Sequence, residues 1–303
     1  MSTPISLDLP DRTRQVTVSC ERGMFAALEA LPPAGAGDLG TALLVPGYTG
    51  SKEDFISLLG PLAAAGRRVL AIDMRGQYQT PGSDEPAAYE PAQLGADIAA
   101  VARATETVHL LGHSFGGLVS REAVLAGYTP GSLTLMSSGP SALHGPRAEE
   151  LRTMLSFLAG TPAHELKTKI EELWHATLQP RAKQAGVRPE IRTFLKERML
   201  ANNPTGLITM ASHLLSAEDE TEALANHNVP TFVIYGEDDN AWPPTTQAAM
   251  ATYLGAEKFC IPGAGHNPNV EAPATTAHAL TTFWNAREAG GAAYTANPAR
   301  PTR

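Results

Sequence analysis

Gly112-His113-Ser114-Phe115-Gly116-Gly117 is the stretch that decides the fold. Ahead of it, Thr107-Val108-His109-Leu110-Leu111 reads as a buried strand. After it, apolar residues at 118, 119 and 123 to 125 give the next eight residues a helical face. A serine between strand and helix, with a glycine two residues to either side, marks a sharp strand-to-helix turn. The spacing has a steric reason. A side chain at 112 or 116 would collide with the neighbouring strand or helix, and the serine backbone itself is held in a strained conformation. The turn stands the Ser114 hydroxyl clear at the C-terminal edge of a sheet, over the N–H groups of a helix N-terminus. A bare Gly-x-Ser-x-Gly also occurs in plain turns. The strand before it, the helix after it and the third glycine, Gly117, make this one specific.

Outward from that turn, the chain alternates. Arg14 to Cys20 and Met24 to Leu31 read as two antiparallel strands joined at Glu21-Arg22-Gly23. Thr41 to Val45 is short and wholly apolar, the mark of a central strand covered on both faces. Helix 52–65, with Ser51 and Asp54 as a capping pair, leads to strand Arg67 to Ile72 and the turn Asp73-Met74-Arg75-Gly76. Helix 91–104 precedes the central strand. Leu133 to Ser137, Val229 to Tyr235 and Lys258 to Ile261 are further strands, and a helix from about 274 to 288 closes the series. Strand and helix at this rhythm predict an α/β fold, a doubly wound and mostly parallel sheet that binds ligands at its C-terminal strand ends. Between 140 and 222 the rhythm changes to helix-like segments at 147–159, 163–178, 189–201 and 205–217, with no strand. This stretch is read as a helical cap inserted into a core of residues 1–139 and 223–288. Residues 1 to about 14 and 289–303 are read as loose ends, the latter a disordered tail.

Composition excludes several classes. The 303 residues, 43% hydrophobic and 18% charged, are ample for one large core with a subdomain. A net charge of -8 argues against a nucleic-acid or anionic-membrane surface. Cys20 and Cys260 read as reduced thiols in separate strand-like segments. The start lacks a basic n-region and an apolar h-region, and no run is long enough to span a bilayer, so a cytoplasmic protein is expected. No metal motif stands out, and the oligomeric state is left open.

A serine hydroxyl needs a base, normally a histidine oriented by a carboxylate. Gly236-Glu237-Asp238-Asp239 follows one late strand, and Gly263-Ala264-Gly265-His266 follows the last. The order Ser114, Asp239, His266 suits a doubly wound hydrolytic fold. Glu237 and Asp238 compete for the acid position, and spacing favours Asp239. Asp73 reads as structural beside Arg75, and His113 as a packing residue. His164, His175 and His213 read as surface or cap residues.

Taken together, Pro46-Gly47-Tyr48, Asp73-Met74-Arg75-Gly76, the serine turn, Gly236-Glu237-Asp238-Asp239 and Gly263-Ala264-Gly265-His266-Asn267 resemble the α/β-hydrolase superfamily, in its branch of capped serine esterases and perhydrolases. Serine at the turn, rather than aspartate, sets the chain apart from the epoxide hydrolases and haloalkane dehalogenases of that fold. The resemblance implies a cofactor-free serine hydrolase that cleaves a small carboxylic ester through an acyl-enzyme. Ser114 is then nucleophile, His266 base and Asp239 orienting acid. It also implies an oxyanion hole built from the backbone N–H groups of Tyr48 and Phe115. Thioesters, lactones and carbon–carbon bonds are the alternative substrates, and a non-catalytic ligand-binding receptor is the alternative class. Where this family usually has a histidine before the loop glycine, the chain has Pro46, which removes the usual brace of that loop. Leu207, Met210, His213 and Leu214 share a helix face that is expected to wall the substrate pocket.

Overall fold

Eight strands form one sheet in the order β1-β2-β4-β3-β5-β6-β7-β8. The computed structural model describes residues 2–36 and 39–294. The strands are β1 (Thr13–Cys20), β2 (Gly23–Ala30), β3 (Leu39–Val45), β4 (Arg67–Ile72), β5 (Thr107–His113), β6 (Ser132–Met136), β7 (Thr231–Gly236) and β8 (Glu257–Ile261). The β1–β2 and β2–β4 pairings are antiparallel, and every other pairing is parallel. All eight coincide with the predicted strands to within two residues at either end. The central strands β3, β5 and β6 are covered on both faces, which is why they read as continuous hydrophobic stretches without alternation.

Helices sandwich the sheet. On one face, α1 (Ile56–Ala64) and the short α11 (Pro268–Glu271) pack with α12 (Pro273–Tyr294), burying Leu58, Leu59, Leu62, Leu280, Phe283 and Trp284. On the other lie α2 (Pro91–Ala104), α3 (Phe115–Leu125) and α10 (Pro244–Tyr253), contributing Leu94, Ile98, Leu118, Val119 and Met250. Helix α12 runs six residues past the predicted start of the loose tail, to Tyr294, while residues 295–303 lie outside the described residues. Glu288 accounts for part of that length. Its carboxylate pairs with the fully buried Arg67 at 2.6 Å and with His109 Nε2 at 2.9 Å, tying the helix to the N-terminal ends of β4 and β5.

Between β6 and β7 the chain is helical. Helices α4 (Gly145–Leu158), α5 (Leu166–Leu173), α7 (Pro189–Ala201) and α8 (Pro204–Ser216) share their own hydrophobic cluster around Ile170, Trp174, Phe194 and Met199, with α6 (Gln179–Gln184) outside it. One π-helical turn, Trp174–Leu178, joins α5 to α6, so a single rod spans the predicted segment and runs six residues beyond it. The short α9 (Thr221–Ala225) returns to pack against α3. A second departure concerns the N-terminus. Residues 2–7 are not loose: Ser2 and Pro4 are buried, and Leu7 packs on the cluster of the inserted helices.

Candidate active site

Three loops meet at the C-terminal edge of the sheet. The first is the turn after β5. Ser114 has φ 54° and ψ −121°, the left-handed region that side chains avoid, and its N–H donates to the Met136 carbonyl at 2.9 Å. Gly112 permits this turn, since a Cβ there would lie 2.2 Å from the Gly116 carbonyl oxygen. Ser114 is 8% exposed, at the floor of the cavity described below.

The second loop follows β7. Asp239 is 5% exposed, while Asp238 beside it faces solvent. Glu237, the other alternative, turns away and accepts from the Gly263 N–H at 3.1 Å. Asp239 accepts from the Ala241 N–H at 2.9 Å and from Gln247 Nε2 at 2.9 Å. Burial pushes its carboxyl upward, but these donors together with His266 more than offset it, and the group is held below the usual carboxylate range.

The third loop follows β8 and delivers His266. Its Nδ1 lies 2.9 Å from Asp239 Oδ1, and its Nε2 lies 2.9 Å from Ser114 Oγ. The ionised Asp239 can only accept, so Nδ1 carries the hydrogen and donates to it. Nε2 of the neutral ring is then the acceptor, and the Ser114 hydroxyl donates to it. Gly236 lets the second and third loops abut, because a Cβ there would stand 2.1 Å from the Gly265 carbonyl oxygen.

Neighbours outside this trio hold it. His113 is fully buried and donates from Nε2 to the His266 carbonyl at 2.9 Å. Expected only to pack, the ring pins the backbone of the histidine loop. Burial, and next the proximity of His266, press its imidazole down to about 4, so it stays neutral. Gln247 lies in the first turn of α10, a helix to which the sequence reading assigned nothing. The paired prolines at 243 and 244 were the available signal, since proline favours a first helical turn. Gln247 Nε2 also donates to the Trp242 carbonyl at 2.8 Å, which fixes the acid loop as a unit.

The Gly47–Gly50 loop lies beside Ser114. Its missing histidine brace is supplied from another strand end. Gln77, buried, donates to the Gly47 carbonyl at 2.9 Å. The Tyr48 hydroxyl donates to the Leu207 carbonyl at 2.9 Å, tying the loop to α8. Among the described residues, no acceptor partners the backbone N–H of Tyr48 or of Phe115. Asp73 is expected beside Arg75, but Arg75 pairs with Asp97 at 2.6 Å, and the partner of Asp73 is Lys52. Fully buried, it accepts from Lys52 Nζ at 2.9 Å and from the Lys52 N–H at 2.8 Å. Burial first, opposed by Lys52, leaves its carboxyl raised to about 6.

A cavity of about 730 Å³ opens over Ser114 and His266. Its wall corrects the expected one. Of the four residues on α8, only Leu214 lines it. Leu207 faces the core of the inserted helices, and Met210 faces the main core. His213 is half-buried beside Glu90, at 3.5 Å, and its ring is held below its usual value by burial. The wall comes instead from Leu151 and Met154 on α4, from Leu195 and Met199 on α7, and from the π turn, which presents Trp174, Thr177 and Leu178 together. Among the described residues, no group of three His, Cys, Asp or Glu side chains is arranged to hold a metal ion, and no helix is long and apolar enough to cross a membrane.

The model of the alpha/beta hydrolase family matches residues 42–279, which includes all three loops. A protein of Variovorax paradoxus (strain S110) bearing the name carbamate hydrolase RutD is 30% identical over 257 residues, 82% of this chain and 93% of that protein. Among solved structures, a thermophilic esterase from Thermogutta terrifontis superposes with a TM-score of 0.68 at 21% identity, covering 90% of this chain and 99% of its own. A hydrolase from Pseudomonas aeruginosa superposes with a TM-score of 0.67 at 23% identity, covering 89% and 98%. Those two likenesses speak to the fold; the family model and the longer relative speak to descent. The chain belongs to the α/β-hydrolase family.

Proposed function

We propose that this hydrolase cleaves a small carboxylic ester through an acyl-enzyme on Ser114. The observation that carries the reading is the unbroken chain from Ser114 Oγ to His266 Nε2 and from His266 Nδ1 to Asp239, each link 2.9 Å. His266 takes the hydroxyl proton as Ser114 Oγ attacks the ester carbonyl. The Tyr48 and Phe115 N–H groups receive the oxyanion, a role that their lack of other partners supports. Asp239 keeps the imidazole in the required tautomer and stabilises it once charged. The tetrahedral intermediate collapses, and the leaving alcohol takes the proton from His266. Water then attacks the acyl carbonyl, giving its proton to His266, and the acid leaves as Ser114 regains its hydrogen. Residues 140–222 act as the cap of this site, which suits an acyl or alcohol group with apolar surface, since their leucines, Met154, Met199 and Trp174 line the cavity, alongside the charged Arg147, Glu149, Glu150 and Arg181.

The relative named for carbamate hydrolysis supports a second reading, because a carbamate carbonyl offers the same nucleophilic target. Two measurements test both. A fluorophosphonate should label Ser114 stoichiometrically, and Ser114→Ala should abolish labelling and lower turnover by roughly 10⁴ to 10⁶. Aryl esters and aryl carbamates of matched leaving group then decide the substrate by their kcat/KM. If Ser114→Ala retains over about a tenth of the activity with its fold intact, the acyl-enzyme reading is wrong.

A further inference from the structure

We infer that the N-terminal segment, residues 2–7, is the strap that limits how long a substrate chain the cavity admits, and that Arg198 is the residue that positions it. The inference rests on the ester-hydrolase reading for its kinetic readout only. Ser2 and Thr3 line the same cavity as Ser114 and His266, as do Val187, Leu195 and Met199. The strap has no regular secondary structure, yet Ser2 is only 6% exposed. Three contacts hold it down. Arg198 Nη2 donates to the Ser2 carbonyl at 2.7 Å, Arg188 Nη2 donates to the Ile5 carbonyl at 2.5 Å, and Leu7 packs on the cap cluster.

Arg198 explains why the strap belongs there. It lies on α7 and is 0% exposed. One arm of its guanidinium, Nη1, donates to Asp54 Oδ1 at 2.6 Å, and also reaches Ser51 Oγ at 3.4 Å. That arm is neutralised by a carboxylate that is itself fully buried. The other arm, Nη2, has the Ser2 carbonyl as its partner. A buried guanidinium left with an unsatisfied arm is costly, so seating Ser2 is favourable in itself. Arg198 therefore links three parts of the molecule: the turn that follows the Gly47–Gly50 loop, the cap helix α7 and the strap. Only the strap can leave without breaking a strand or helix. The wall it forms on that side is a backbone segment with two small side chains, and its removal extends the cavity.

The test uses the full chain, a variant lacking residues 2–6, Arg198→Lys and Thr3→Trp. For each, kcat/KM is measured on nitrophenyl esters from acetate to dodecanoate, and n-alkanols of rising length are titrated by calorimetry. Without the strap, the ratio of long-chain to short-chain kcat/KM should rise by about tenfold or more, because each admitted methylene adds roughly fourfold. Arg198→Lys keeps the charge opposite Asp54 but cannot serve both arms, so it should shift the ratio in the same direction by less. Thr3→Trp should shift it the other way, towards short chains, which a general loss of stability would not do. An unchanged ratio in the truncated variant and in Thr3→Trp overturns the strap; should the truncation fail to fold, Thr3→Trp alone decides. If the wild type turns over no ester of any length, the ester reading fails, and alkanol affinity then judges the strap by itself. Tighter binding of long alkanols after truncation, or their exclusion by Thr3→Trp, supports it, and identical affinities overturn it.

Discussion

At the sheet edge, Ser114, Asp239 and His266 are held by backbone: a strained turn at φ 54°, loops that abut at Gly236 and a carbonyl pinned by His113. In the helices above, Leu151, Met154, Trp174 and Leu214 are held by side-chain packing between neighbouring helices. The first arrangement tolerates almost no substitution, since the displaced atoms are main chain. The second can be recut residue by residue while the helices remain. On the proposed reading, chemistry then belongs to the part fixed by backbone, and selectivity to the part that can vary.

The largest effect should come from the edge. Asp239→Asn would leave His266 without its carboxylate and favour the wrong tautomer, costing about 10⁴ in kcat. Asp238→Asn, at an exposed neighbour with no link to His266, should stay within about threefold of the wild type. Steady-state kinetics on one aryl ester compares them. Similar losses in the two variants would mean that acid position is not set by the backbone of this loop.

The same contrast explains what could be read before the structure. Strands buried on both faces announce themselves as apolar runs, and the three loops carry short patterns because backbone crowding dictates their glycines. The order Ser114, Asp239, His266 needs no long-range knowledge. Contacts between distant segments do. Gln77 replaces a missing histidine from another strand end, and Gln247 reaches Asp239 from a helix whose Thr245, Thr246, Ala248 and Ala249 give little hydrophobic signal. The strap is a further case, since Ser2 is polar, yet it is buried where its carbonyl accepts from the distant Arg198. On α8, the face that looked like a pocket wall is apolar because it enters two cores. Periodicity reports that a face is buried, and not what it is buried against.

A middle-sized effect concerns the pin. His113 has its ring pressed down to about 4, first by burial and then by His266. In the unfolded chain it titrates near 6.5, so as pH falls the unfolded state takes up the proton first. The stability that neutral His113 contributes is complete above about pH 6.5 and is lost progressively down to about pH 4, by up to about 3 kcal/mol. Asp73, raised to about 6, and Glu122, raised to about 7 mainly by burial, act in the opposite sense, because the folded state holds their protons more tightly. They remain in both proteins when the wild type is compared with His113→Gln, whose longer amide reaches the Nε2 position and can still donate to the His266 carbonyl. Urea unfolding across this window should show the wild type losing more stability than the variant. Parallel losses would remove His113 as the titrating group.

The smallest effect separates two methionines that the sequence treats alike. Met154 lines the cavity from α4, while Met210 on α8 is 2% exposed within the main core. Met154→Ala should enlarge the pocket at little cost, since its site already borders open volume. Ester preference should then move to longer chains by one or two methylenes, each worth roughly fourfold in kcat/KM. Met210→Ala removes atoms from a closed core, where such truncations cost about 2–5 kcal/mol. It should lower the midpoint of thermal unfolding and leave the chain-length optimum where it was, because the void it creates is sealed from Ser114 by the packing that buries it. A shifted optimum in Met210→Ala together with an unshifted one in Met154→Ala would return the pocket wall to α8, and the division between a fixed edge and an adjustable cap would have to be redrawn around that helix.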